Sequence, residues 1–312
     1  MFKSYRRVSS LGSVSGVFAN VSSDTLRSRL VSFSSTPLFS HTGYSRDARE
    51  GSVFVDKCPP PEFDTGCTYC QPQFPAGKAV KTGATLLGTA PSIRRHLLVS
   101  CGHSDWPSRT EFEPTSLEAK LREVHREGLR RDPDYNFMIT STDLPPANPP
   151  KDQSWSLYMY PDGLYFPRIP YSKGEDFIKR FLIPSRSHEA EDIEDGLDIV
   201  YKESPIIAIC AHAARDARCG IVGPMLKAEF EQVLQRKGLL YDPVTEKGIR
   251  VTLVSHIGGH AYAGNVIYFR GDGSSIWYGL VNPEHVQGIV KETVESGRII
   301  HDLYRGGLTV GS

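Results

Sequence analysis

The amino-acid sequence predicts an α/β protein made of two tandem β-α-β-β-β-α units, on three observations. Apolar strand-like runs and amphipathic helical stretches follow one another in the same order twice. Each half carries an Asp-Gly turn between two of its strands, Pro161-Asp162-Gly163 and Gly271-Asp272-Gly273. Landmarks also keep a near-constant offset: Cys101 to Cys210 is 109 residues, Asp162 to Asp272 is 110, and the final helices begin about 109 apart. The repeated order is the layout of a thioredoxin-like domain.

In the first half, HLLVSC reads as a buried strand ending at Cys101, SLEAKLREVHREGL as a helix capped by Ser116, and YNFMITST as a second strand. SLYMY and LYFPRI flank the first Asp-Gly turn, and GEDFIKRFLI closes the unit as a helix. In the second half the same roles fall to PIIAIC, MLKAEFEQVLQRKGLL, IRVTLVS, the pair VIYFR and SIWYGL, and PEHVQGIVKETVES. The polar, acidic stretch between the halves reads as a linker. The predicted organisation is a leader over 1–46, a first unit over 47–184, a linker over 185–203 and a second unit over 204–312.

The leader has its own composition: 13 Ser and six Lys or Arg against the single acid Asp24. Acid-poor, Ser- and Arg-rich beginnings are typical of mitochondrial transit peptides, so a mitochondrial address is expected, the matrix in preference to the intermembrane space. Across all 312 residues, 36 basic and 36 acidic side chains balance. Nucleic acid is therefore not an expected partner. No apolar run approaches the roughly 18 residues a membrane span requires, so membrane insertion is not expected either.

Six cysteines are too few for a disulfide scaffold in a chain of this size, which turns attention to metal or redox use. In CAHAARDARC, Cys210 ends a strand and Cys219 follows after eight intervening residues. In SHIGGHAYAGNVIYF, His256 and His260 stand four apart around Gly258 and Gly259. Adjacent glycines cost a helix roughly 1 kcal/mol each relative to Ala, so the histidines are placed on a loop. All four side chains are predicted on loops at one end of the sheet, where open α/β sheets build sites. The first half offers no counterpart: Cys101 stands alone, and STDLPPANPP holds no histidine.

Two thiols and two imidazoles suit a tetrahedral zinc ion or a mixed-ligand [2Fe-2S] cluster, and Cys210 with Cys219 could also act as a metal-free dithiol. Spacing alone leaves these alternatives open. The motifs CAHAARDARCG, SHIGGHAYAGNVIYF and LYRGG, with CPPPEFDTGCTYC and LLVSCGHSDWPS, resemble the sucrase/ferredoxin-like family of thioredoxin-like ferredoxins, and within it the fungal "altered inheritance of mitochondria" proteins. That resemblance implies a ferredoxin-like second unit with a [2Fe-2S] cluster on Cys210, Cys219, His256 and His260. It further implies an electron carrier or thiol oxidoreductase in mitochondrial redox balance, with redox proteins as partners. Neutral imidazoles in place of two thiolates raise the expected reduction potential, and their second nitrogens couple it to pH.

Secondary features are expected as follows. Cys67 and Cys70 form a CxxC that reads as a second redox pair or a structural clip, in a Pro-rich, turn-rich segment that also holds Cys58. Arg215, Asp216 and Arg218 read as solvated charges, Trp277 as core, and His212 as a substitute ligand should His256 or His260 not serve. Tyr304-Arg305-Gly306-Gly307 reads as a flexible tail outside the core.

Overall fold

Both predicted units form, and their sheets join into one. The structure is a computed structural model that describes residues 53–126, 136–148, 152–182, 197–201 and 204–308. The predicted leader and most of the linker lie outside the described residues. A short strand β1 (Phe54–Val55) precedes the first unit, which runs β2 (Arg95–Ser100), α1 (Leu117–Arg126), β3 (Phe137–Thr142), β4 (Ser154–Tyr160), β5 (Leu164–Pro170), α2 (Gly174–Phe181). Next comes β6 (Asp198–Tyr201), an edge strand on β5, so the end of the predicted linker is part of the sheet. The second unit runs β7 (Ile206–Cys210), α3 (Ala217–Arg236), β8 (Arg250–Val254), β9 (Val266–Phe269), β10 (Ser275–Tyr278) and α4 (Val286–Ile289), which continues as a π-helical turn, Val290–Glu295. Strands β11 (Ile299–Ile300) and β12 (Tyr304–Leu308) end the described chain.

Ten strands make one sheet in the order β12-β10-β9-β7-β8-β3-β2-β4-β5-β6. Within each unit the first two strands run parallel and the other pairs antiparallel. Equivalent strands β3 and β8 meet antiparallel at Thr142 and Val254, so the strand order reads the same outward from that junction in both directions. That is the arrangement of two copies related by a local two-fold axis, as duplication of one unit produces. The registers also refine the equivalence: Ser100 lies opposite Thr142 as Cys210 lies opposite Val254, which puts Cys101 one position past the place of Cys210.

Burial explains the strand sequences. Every residue of β7 and β9 is buried, and both read as nearly unbroken apolar runs because both faces of the sheet are covered there. Phe177, Ile178 and Phe181 of α2 pack with Leu97, Val99 and Phe166 in a core of the first unit. The other face of that unit is shared: Tyr160 stacks on Phe269 with ring centroids 4.1 Å apart, and His96 lies edge-on to the same ring. Trp277 is core, as expected.

Three expectations are corrected. Helix α3 starts at Ala217, eight residues before the expected Met225, because Asp216 caps it by accepting the N–H of Arg218 at 3.0 Å. The LYRGG tail is a strand paired with β10, with Arg305 and Leu308 buried, not a flexible end. The Pro- and Cys-rich segment, assigned by sequence to the first unit, lies against the second. β1 pairs with β11, Gln287 exchanges hydrogen bonds with Glu62 and Phe63, and Thr65 and Thr68 donate to the buried Glu229 of α3.

Candidate metal centre

The four predicted donors follow one another in pairwise contact near the end of β7: Cys219 with Cys210, Cys210 with His256, and His256 beside His260. Cys210 is the last residue of that strand, and Cys219 sits in the first turn of α3 rather than on a loop. Small residues allow this closeness: a Cβ at Gly220 would stand 2.4 Å from the Ala213 Cβ, and one at Gly223 would stand 2.8 Å from the carbonyl oxygen of Cys210. Both cysteines are about 1% exposed and unbridged. The two sulfurs interact with unequal outcome. Hydrogen bonding from the Cys219 thiol holds Cys210 well below the ordinary thiol range, helped by the His256 ring and the N–H groups of His212 and Ile257. Cys219, donor to that thiolate and buried beside its charge, is pushed up. The arrangement thus favours one thiolate and one thiol.

The imidazoles follow on the loop after β8. Their ring centroids lie 5.9 Å apart, with His256 half-buried and His260 exposed. Nδ1 of His256 is buried with no hydrogen-bond partner. Gly258 and Gly259 both take the left-handed conformation, at φ +81° and +74°, which reverses the chain between the two rings. Contact therefore runs from Cys219 to Cys210 to His256 to His260. Among the described residues no three His, Cys, Asp or Glu close on a single point. The donors stand as a thiol pair and an imidazole pair.

His212 is not a substitute ligand, since both its nitrogens are in use. Nε2 lies 2.9 Å from the carbonyl oxygen of Pro107 and donates to it, while Nδ1 accepts the backbone N–H of His256 at 3.1 Å. Burial lowers its pKa, in keeping with this neutral form. Asp216 and Arg218 are likewise not solvated: Nε and Nη2 of Arg218 each lie 2.9 Å from a carboxylate oxygen of Asp216, with both side chains buried. Hydrogen bonding from Arg218 holds Asp216 down at about 2.

Sequence reasoning missed Arg305. It is about 1% exposed, and its Nη1 donates to Asn265 Oδ1 at 2.6 Å, while Nη2 and Nε donate to the carbonyl and hydroxyl of Thr89. Asn265 in turn donates to the carbonyl of Gly259 at 3.0 Å. The guanidinium packs so closely on Gly259 that a Cβ there would stand 2.4 Å from Nη2. One signal was available: an arginine directly before two glycines, the pattern of a side chain held where the backbone packs closely. Cys67 and Cys70 are disulfide-bonded and lie by Glu229, ten residues along α3 from Cys219, or about 15 Å of helix.

Fold and site together define a two-unit thioredoxin-like protein with a paired thiol and imidazole centre in its second unit. The family model described as "Sucrase/ferredoxin-like" matches residues 86–306, and the chain belongs to that family. It is 37% identical over 279 residues to "Altered inheritance of mitochondria protein 32" of Meyerozyma guilliermondii, a match covering 83% of this chain and 96% of the relative. It is 41% identical over 136 residues to "Actin patches distal protein 1" of Saccharomyces cerevisiae, covering 43% of this chain and 39% of that protein. Among solved structures, a thioredoxin-like [2Fe-2S] ferredoxin from Aquifex aeolicus aligns at a TM-score of 0.26 and 17% identity, covering 34% of this chain and 94% of its own.

Proposed function

We propose that the chain is a mitochondrial electron-transfer protein whose second unit holds a [2Fe-2S] cluster through Cys210, Cys219, His256 and His260. The observation that carries this reading is the thiol pair set against the imidazole pair, with Cys210 biased to thiolate and the buried Nδ1 of His256 lacking a partner. A buried nitrogen without a hydrogen bond is costly, and ligation would use it. A single zinc ion needs its donors around one point. A thiol pair and an imidazole pair could each serve one atom of a two-metal centre. When bound, such a cluster supplies one-electron transfer.

The residues around it have definable tasks. Burial of both sulfurs keeps water from them, His212 fixes the backbone of His256, and Arg305 braces the turn between the imidazoles while placing positive charge near the thiolate. The mitochondrial assignment draws on the leader composition and on the name carried by several relatives. Control of the thiol state of other proteins is a natural extension of such a role. Contact between Cys210 and Cys219 also favours a second reading, direct dithiol exchange, but sulfurs this buried are poorly placed for attack by a protein client.

Anaerobic purification of the full chain, with iron, acid-labile sulfide and zinc analysis and a visible spectrum, tests the proposal. Iron and sulfide in equal amounts, with colour bleached by dithionite, support it. Zinc alone, or no metal with an exchangeable Cys210–Cys219 dithiol, overturns it.

A further inference from the structure

The chain is neutral overall, yet its charges are not evenly matched around the candidate centre. Several surface lysines stand against carboxylates, as in Lys120 with Glu123, Lys173 with Asp176 and Lys237 with Glu295, although exposed Lys57 and Lys247 make no ion pair among the described residues. Near the exposed His260 the lysines also lack such partners among the described residues. Lys81 donates its backbone N–H to the carbonyl of Ala261 at 2.8 Å, directly after His260, and Ala79 accepts from Arg218 at the start of α3. Both Lys78 and Lys81 are exposed, and neither makes an ion pair among the described residues. Arg215, on the loop between Cys210 and Cys219, is exposed too and reaches only the carbonyl of Ser108, at 3.4 Å.

Acids are missing from this region at the level of sequence. Residues 71–104, 204–215, 255–271 and 303–312 contain no Asp or Glu. Among the neighbouring carboxylates, Asp216 pairs with the buried Arg218 and Glu111 with Arg109, with Arg215 also in electrostatic reach of Glu111, while the exposed Asp105 hydrogen-bonds to the His103 ring. Cations at exposed positions, with the exposed small residues Ala213 and Ala214 directly before Arg215, leave close approach open on a positively charged rim.

We propose that this rim, carrying Lys78, Lys81 and Arg215 around His260, is the docking surface for an acidic protein partner with which the centre exchanges electrons. Complementary charge steers encounter and fixes orientation, and it acts even where net charge is zero because exposed charges are felt only within about a Debye length, roughly 10 Å at 0.1 M salt. One electron passes between the partner's redox centre and this one, the first losing what the second gains, with no atom transferred. The inference rests on the electron-transfer reading above.

Two measurements on the full chain test it. Binding of a short poly-L-glutamate peptide, followed by calorimetry, is expected to weaken with added salt and to fall about tenfold or more in K78E/K81E. Oxidation of the dithionite-reduced protein by hexacyanoferrate(III), an anion, is expected to slow as salt rises. In K78E/K81E that slope should reverse, while Lys173→Glu should behave as wild type in both assays. Equal peptide binding by wild type and K78E/K81E, or a salt-independent oxidation rate as zero net charge alone predicts, overturns the proposal. Sedimentation with phosphatidylserine vesicles in place of peptide binding would assign the rim to a membrane and overturn it as well. A colourless, iron-free protein defeats the electron-transfer reading instead, and the peptide arm still decides whether the rim binds an acidic chain.

Discussion

Nδ1 of His212 accepts the backbone N–H of His256 at 3.1 Å, and Nε2 of the same ring is spent on Pro107. The histidine nearest Cys210 in sequence is thus a brace for the backbone of His256, with no nitrogen left for a ligand. His212→Phe is expected to keep the position of the visible absorption bands, since no ligand is lost, while shortening the lifetime of the colour in air. His256→Ala should abolish the bands. Loss of the bands in His212→Phe would show that His212 ligates.

Gly259 and Gly258 share a left-handed backbone but differ in surroundings: a Cβ on Gly259 meets the Arg305 guanidinium at 2.4 Å, whereas one on Gly258 meets nothing within 4 Å. Gly258→Ala should cost about 1–2 kcal/mol from backbone strain alone. Gly259→Ala carries the same strain and also displaces Arg305 from Asn265 and Thr89. Thermal melts of the two variants check this. Equal losses would mean that the guanidinium is not a fixed wall of the loop.

How far the sequence reached follows from the range over which each signal acts. Strand and helix order was legible because period and turn residues are local, and the duplication was legible because it repeats them at one offset. The four candidate side chains were legible from their types, since two thiols and two imidazoles in nearby segments drew attention before any geometry was known. What escaped depends on distant partners. Arg305 looked like a solvated tail residue until Thr89 and Asn265, 216 and 40 residues away, enclosed it. Asp216 and Arg218 pair with each other two residues apart, but their burial under the segment of Ala79, whose carbonyl accepts from Arg218, is not visible in local sequence. The start of α3 was misplaced because the apolar pattern was followed only from Met225, whereas the Asp216 cap opens the helix at Ala217 and Pro224 lies inside it.

Acid should destabilise the fold in two separable windows. His96 is wholly buried, and burial pulls its pKa from 6.5 to about 3, so the folded form excludes a proton that the unfolded chain takes up. Stability should then fall as pH drops below about 6.5, by a little over 1 kcal/mol per pH unit. Asp216 acts lower: its pKa is depressed from 3.8 to about 2, so its contribution is present above pH 4 and is lost as pH falls toward 2. Urea unfolding between pH 7 and 4 is expected to show a flatter slope for His96→Gln. Asp216→Ala should instead lose about 2–4 kcal/mol at neutral pH, through the missing cap and the unpaired buried Arg218. An unchanged slope in His96→Gln would mean that the ring takes up a proton within the native state.

The disulfide between Cys67 and Cys70 closes a loop of only four residues, for which chain entropy offers about 2 kcal/mol at most. Its segment is held by other means: Thr65 and Thr68 donate to the two oxygens of Glu229 at 2.5 and 2.9 Å, and Arg236 lies 3.9 Å over the ring of Phe63. Reducing the disulfide should therefore leave the segment seated on α3, whereas Glu229→Ala should release it even with the disulfide intact. Amide hydrogen exchange across residues 60–75 separates the cases. Protection should persist in Cys67→Ser/Cys70→Ser and collapse in Glu229→Ala. The reverse order would make the disulfide a structural clip. The expected order leaves it reducible at little cost to the fold, with Tyr69 between its sulfurs 59% exposed.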